Sequence, residues 1–233
     1  RSSVSSVLAL STSLSQVEAA FLALRPSGTS INIARPAAAI ENDAMIAAIG
    51  VTPSSVTITP PSGWTLIRRT DNAGGVSNSL AVYMKVATAA EPASYYWTLS
   101  AAATAVGGIQ AYAGVDVSNP IDIENGQTTA SAATHASPNV TTTVANTFVV
   151  THHTYSSSQN WTPPGGMTES FDQRSGGASA TGQSIEGARV AQAAAGATPQ
   201  RPRRIIERGR DAAEARYLTT SSSERFDNTS APL

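Results

Sequence analysis

The sequence predicts an all-β protein: an antiparallel β-sandwich, jelly-roll-like or immunoglobulin-like, made of two pseudo-repeated halves with a short helical or coil tail at its C-terminal end. Three observations predict it. Short alternating apolar runs bounded by Gly, Pro, Asn and Ser recur along the chain. A stretch of about 23 residues repeats, without a gap, at a spacing of about 103. Charge is sparse, at 13% of 233 residues, about half the usual ~25%. That profile suits an extracellular or virion β-protein better than a cytosolic enzyme. The absence of cysteine excludes disulfide scaffolds, thiolate nucleophiles and cysteine metal sites. No apolar run approaches the ~18 residues that span a bilayer, and residues 1–25 lack the pattern of a signal peptide, so no membrane insertion is expected.

Residues 1–30 read as an N-terminal arm. Residues 2–24 fit a helix through Val4, Val7, Leu8, Leu14, Val17 and Phe21. Within them, however, Val17, Ala19, Phe21 and Ala23, followed by Leu24, alternate as the inward face of a strand over 17–24. The body, 31–197, carries strand patterns at 44–51, 55–59, 64–70, 79–87, 94–99, 105–114, 139–143, 146–154, 167–172 and 182–192. In 79–87 the apolar side is Leu80, Val82, Met84 and Val86, with Tyr83 and Lys85 opposite, the pattern of a half-buried strand.

The repeat lays 43–65 over 146–168, and both copies contain Thr-Pro-Pro-x-Gly-x-Thr. It continues with small shifts through Asp71 and Asp172 and through Val86-Ala87 and Val190-Ala191. The half-repeats are therefore about 43–114 and 146–197. The second copy lacks the last strands of the first, and 17–24 resembles the missing piece, so an N-terminal strand is expected to fill the vacancy. Filling it within one chain closes a permuted sandwich; filling it in a neighbour gives strand exchange and a fibre.

The tail, 198–233, differs in composition: seven of the 14 Arg lie there. Residues 203–218 favour a short surface helix interrupted by Gly209. Arg203, Arg204 and Arg208 are candidate assembly contacts. The tail nets only +2, with Tyr217 and Phe226 as its aromatics, so a nucleic-acid partner is not expected.

Pro60-Pro-Ser-Gly-Trp-Thr-Leu, Leu80-Ala-Val-Tyr-Met-Lys-Val-Ala, Glu91-Pro-Ala-Ser-Tyr-Tyr-Trp-Thr, Ile109-Gln-Ala-Tyr-Ala-Gly-Val-Asp and Phe21-Leu-Ala-Leu-Arg-Pro resemble β-sandwich repeat modules of large bacterial surface proteins and of phage virion proteins such as tail, fibre and decoration proteins. The resemblance covers roughly 15–197. It implies a structural or adhesive unit in a virion or on a cell surface, partnered by copies of itself or by other virion or surface proteins, and it carries no catalytic set.

Chemical motifs are few. There is no Gly-x-Ser-x-Gly elbow; Ser157 lies in a polar turn, and a hydrolase would use a Ser with His152 or His153 and an acid. Adjacent strand positions send His152 and His153 to opposite faces, so one of them with His135 is the remaining histidine pair for a metal. Asp122 and Glu124 share a strand face at i, i+2 and are weak calcium candidates with carbonyl help from Asn125, with an ordinary loop between the halves as the alternative. The pairs Gly74-Gly75, Gly107-Gly108, Gly165-Gly166 and Gly176-Gly177 suit hairpins and bulges rather than a phosphate loop. Trp64, Trp97 and Trp161 are candidate glycan-stacking residues, and core packing is the alternative for each. The sequence thus predicts a non-enzymatic structural module without a cofactor, joined to neighbours through its terminal arms. A carbohydrate-binding adhesin is the alternative and a Ser/His hydrolase the second alternative.

Overall fold

The computed structural model describes residues 2–11, 15–175 and 182–206, and its regular structure is entirely β. The chain opens with β1 (Ser3–Leu10) and β2 (Ser15–Ala34). The first half follows as β3 (Ala44–Thr52), β4 (Ile58–Thr59), β5 (Thr65–Asn72), β6 (Asn78–Val86) and β7 (Ser94–Ala113). Two linking strands, β8 (Ile121–Thr129) and β9 (Thr134–Ser137), lead to β10 (Thr141–Thr142), β11 (Thr147–Tyr155) and β12 (Asn160–Thr162). The described chain ends with β13 (Thr168–Arg174), β14 (Ser184–Gln192), β15 (Gly196–Ala197) and β16 (Arg201–Ile206).

Two antiparallel sheets face each other, one in the order β2-β7-β3-β6-β5 and the other in the order β13-β14-β11-β1-β8. Their shared core takes Ile46, Val82, Val106 and Tyr112 from the first sheet and Leu8, Leu10, Val150 and Phe171 from the second. β3 shows how pattern becomes layer. Ala44, Ile46 and Ala48 face this core while Met45, Ala47 and Ile49 face a second core on the other side, so a continuous apolar run is buried on both faces. The second core is roofed by β4 and by the bent ends of β2 and β7, which bring in Ile31, Ile33, Tyr95 and Trp97. The bend coincides with register shifts on both sides of Gly28 in the β2–β7 ladder, close to Pro26, where a bulge accommodates the missing amide donor. Because β7 turns this corner without a break, the two predicted strands 94–99 and 105–114 are one strand of 20 residues.

The edge strands of the two sheets approach one another. β8 lies beside β5, where Arg68 pairs with Glu124 through both Nε and Nη2, and β13 lies beside β2.

The two halves correspond strand for strand, down to a bulge at Ile67 in β5 and at Ser170 in β13. The ladders correct the gap-free overlay by one residue. The turn from Val51 to Ile58 is one residue longer than its counterpart from Tyr155 to Trp161, so Ile46 corresponds to Val150, both facing the shared core. His152 and His153 therefore stand where Ala48 and Ile49 stand, not where Ile49 and Gly50 do. Likewise Val86 corresponds to Ala191 rather than Val190.

Three sequence expectations change. The helix over 2–24 is replaced by β1 and β2, because Val4, Leu8 and Leu10 meet the shared core while Val7 packs with Val140 and Val149 outside it. The helical tail is strand over 201–206, where two neighbouring strands override local propensity; the rest of 203–218, with Arg208, lies outside the described residues. The loop carrying Asp122 and Glu124 is strand β8.

The corner between β6 and β7 is held by a single carboxylate. Glu91 accepts hydrogen bonds from Lys85 Nζ (2.6 Å), Tyr95 OH (2.6 Å), and Thr88 N (2.8 Å) and Oγ1 (2.9 Å). Burial pushes its pKa up, but the donors together outweigh it and hold the pKa at about 2. A depressed carboxylate stabilises the fold above the unfolded pKa and loses that contribution as pH falls through about 4 towards 2. Glu91→Gln should lower stability by ~1–2 kcal/mol at pH 7, after allowance for solvent screening. In urea unfolding the gap from the parent should close as the pH falls below 3.

Candidate functional site

The second half is completed from both ends of the chain. In the first half, the later part of β7 lies between β3 and β2. In the second, β1 takes that place between β11 and β8, with Val4 and Leu10 at the positions of Val106 and Tyr112. The earlier part of β7 lies between β4 and the far end of β2. Its counterpart is β16, between β12 and β9. One strand of the first half is therefore matched by two segments, β16 and β1, that are almost the whole chain apart.

The vacancy read from the repeat is real, but its occupant differs from the predicted one. β1 fills it, and the strand holding Val17, Ala19, Phe21, Ala23 and Leu24 is β2, the outer neighbour of β7 in the other sheet. Ala19 is half-buried against the shared core; the side chains of Val17, Phe21, Ala23 and Leu24 lie outside the described residues, as do those of Arg203 and Arg204. In the ladder Arg203 faces His135, and Arg204 faces Thr134 on one side and Thr162 on the other.

The buried layer at the β16 end of the second half, its polar floor, is chemically unlike its counterpart in the first. Ile31, Ile33, Ile49 and Ala81 in the first half correspond to His135, Ser137, His153 and Glu186 in the second, and all eight are at most 1% exposed. His153 and Glu186 are direct cross-strand partners. The imidazoles of His135 and His153 flank the Trp161 indole at 6.0 and 5.7 Å between ring centroids, and Tyr155 completes the layer 5.5 Å from His135. Burial holds the His135 pKa below the usual imidazole range. Replacing three isoleucines by these groups forgoes ~1.5–3 kcal/mol of apolar burial at each position.

Asp172 on β13 closes the rim of the layer, accepting hydrogen bonds from Trp161 N (2.9 Å) and Asn160 Nδ2 (3.3 Å). Its Oδ1 is buried with no hydrogen-bond partner among the described residues, and burial pushes its pKa up to about 6. Since the folded carboxyl binds its proton more tightly than the unfolded one, its effect on stability worsens as pH rises from about 4 to 6 and stays unfavourable above that. Asp172→Asn should therefore raise stability by ~1 kcal/mol at pH 7.5, discounted for partial exposure. That gain should vanish at pH 4 in paired denaturant titrations.

The other candidate residues are engaged elsewhere. Trp64, Trp97 and Trp161 are 5%, 0% and 3% exposed, so none offers a face to a sugar ring. Of Tyr95, Tyr96 and Trp97 it is the middle residue, Tyr96, that faces outward. Asp122 and Glu124 do not converge on an ion. A bulge at Asp122 breaks the alternation, and Asp122 accepts from Thr143 N and Oγ1 while Glu124 pairs with Arg68. His152 Nε2 meets Gln110 Oε1 at 2.6 Å across the two sheets. Among the described residues, no three His, Cys, Asp or Glu side chains gather as a metal site. The polar floor was missed in the sequence; its signal was the pairing of Ile49 with His153 and of Ala81 with Glu186, visible only once the repeat is shifted by one residue in the first case and by two in the second.

Compared with known proteins, the chain matches no family model, no curated protein and no solved structure.

Proposed function

We propose that this chain is a non-enzymatic structural module of a virion or an extracellular filament or surface assembly, joined to neighbouring copies through its terminal segments. The observation that carries the reading is the composite strand, in which the second half owes one strand position to β16 and β1 from opposite ends of the chain. Such a unit offers its neighbours a backbone ladder for affinity and alternating side-chain positions for register. The low charge suits a unit that is packed at high density against its neighbours.

Light scattering on the full chain and on a chain ending at Gln200 tests the reading. The full chain should form species larger than 23.9 kDa whose mass grows with concentration, and the shortened chain should not. A full chain that stays monomeric at every concentration refutes it.

A further inference from the structure

We propose that β16 is an exchangeable strand: it leaves the gap between β9 and β12 in its own chain and fills the same gap in a second copy. The outer layer of the second half is then the docking surface for a neighbouring molecule. This inference rests on the structural-module reading and identifies its joint.

Three features single out β16 rather than β1. First, the two terminal strands are held differently. β1 is wedged between β11 and β8, with Val4, Leu8 and Leu10 fully buried in the shared core, so removing it would open the sandwich. β16 lies in a three-stranded outer sheet beside β9, which carries the buried His135 and Ser137, and this end of the second half also buries His153 of β11 and Glu186 of β14. The early part of β7 lies beside Ile31 and Ile33 of β2, at the end of the first half that buries Ile49 of β3 and Ala81 of β6. An apolar strand seat resists opening through its lost burial, and a polar seat resists it less.

Second, the acceptor fits the donor of any identical copy. β16 bonds β12 through Asn160–Ile206, Trp161–Ile205 and Thr162–Arg204, and β9 from Arg201–Ser137 to Arg204–Thr134. A second copy's strand would make the same ladder in the same register, so exchange keeps every hydrogen bond and the balance is set by hinge and concentration.

Third, the hinge is defined. Thr198 is clamped to Val140 by Thr198 N to Val140 O (2.7 Å), Val140 N to Thr198 Oγ1 (3.0 Å) and Thr198 Oγ1 to Val140 O (3.1 Å). Pro199, Gln200 and Pro202 follow. Prolines at these positions keep the connecting backbone extended, which favours a strand that reaches outward.

The absence of native cysteine allows an unambiguous test. Ala136 and Pro202 face each other across the β9–β16 ladder. Chains carrying only Ala136→Cys and chains carrying only Pro202→Cys are mixed and oxidised. A disulfide-linked pair of about twice 23.9 kDa joining one chain of each kind is expected, whereas a chain carrying both cysteines, first oxidised by itself at low concentration to lock its strand in place, should give no linked pair and no assembly when concentrated. As a second readout independent of cysteine, a synthetic peptide of residues 199–206 should bind the chain that ends at Gln200 and reduce assembly of the full chain. Assembly by light scattering with neither the mixed disulfide nor peptide binding overturns the exchange and leaves the structural-module reading standing. No assembly and no mixed disulfide overturns both.

Discussion

A chain lacking residues 1–11 will not fold into a stable monomer. β1 is the strand that joins β11 to β8, so its loss leaves two unpaired edges in the middle of a five-stranded sheet. It also removes Val4, Leu8 and Leu10, each fully buried in the core shared by the two sheets. At ~1.5–3 kcal/mol for each buried aliphatic side chain, these three account for about 5–9 kcal/mol, against a typical total stability of ~5–15 kcal/mol. Circular dichroism should show loss of the cooperative thermal transition. Adding a synthetic peptide of residues 1–11 should restore it, since the acceptor edges are built by the rest of the chain. The same peptide with Leu8→Asp should not, because a carboxylate would be forced into the core without a partner. Cooperative unfolding of the shortened chain without peptide would show that β1 is dispensable.

Residues 1–11 also show where sequence and structure part. Apolar runs were enough to locate β3 and β6, which send apolar residues into both cores they separate, and β11 and β14, which give Val150 and Ile185 to the shared core. The Thr-Pro-Pro turns were enough to find the two halves and the vacancy in the second. The occupant was misread because β1 buries Ser3, Ser5 and Ser6 among its apolar residues, a mixture that looks no more like a core strand than like a polar helix face. Residues 17–24 alternate more regularly yet belong to the other sheet, and which sheet takes a strand is decided by packing partners that local pattern does not contain. β8, with Asp122, Glu124, Asn125 and Gly126, reads as a loop; it is a strand because β1 pairs with it along its length and Arg68 neutralises Glu124. β16 reads as helix from its arginines and is strand because β9 and β12 leave one strand's width between them. The candidate site was least legible, because its polar floor stands out only by comparison with the isoleucines of the other half.

The largest effect of a single methyl group is expected between the sheets, at Gly108 and Gly187. The pair Gly107-Gly108 suggests a hairpin or bulge in the sequence, yet both glycines lie in the middle of β7 and neither has positive φ. They are needed for close approach on two faces. A Cβ at Gly107 would come within 2.7 Å of Ile49 and 2.8 Å of Ile33, and one at Gly108 within 2.7 Å of the Phe171 ring. Gly187, on β14, meets the same ring at 2.7 Å. Phe171 is thus gripped by a glycine of each sheet and also stacks on His152, which is tied to Gln110 of the opposite sheet. A ring so enclosed cannot move aside as a free side-chain end would. Gly108→Ala and Gly187→Ala should each cost ~1–3 kcal/mol through overpacking. Phe171→Leu should be destabilising alone, through the space it leaves, and should relieve part of the cost when combined with Gly108→Ala. A coupling of about 1–2 kcal/mol in that double-mutant cycle, measured by urea unfolding, would report the contact directly. Strict additivity would mean that the sheets can separate locally to admit the methyl group, and that this ring does not set the spacing on which both halves depend.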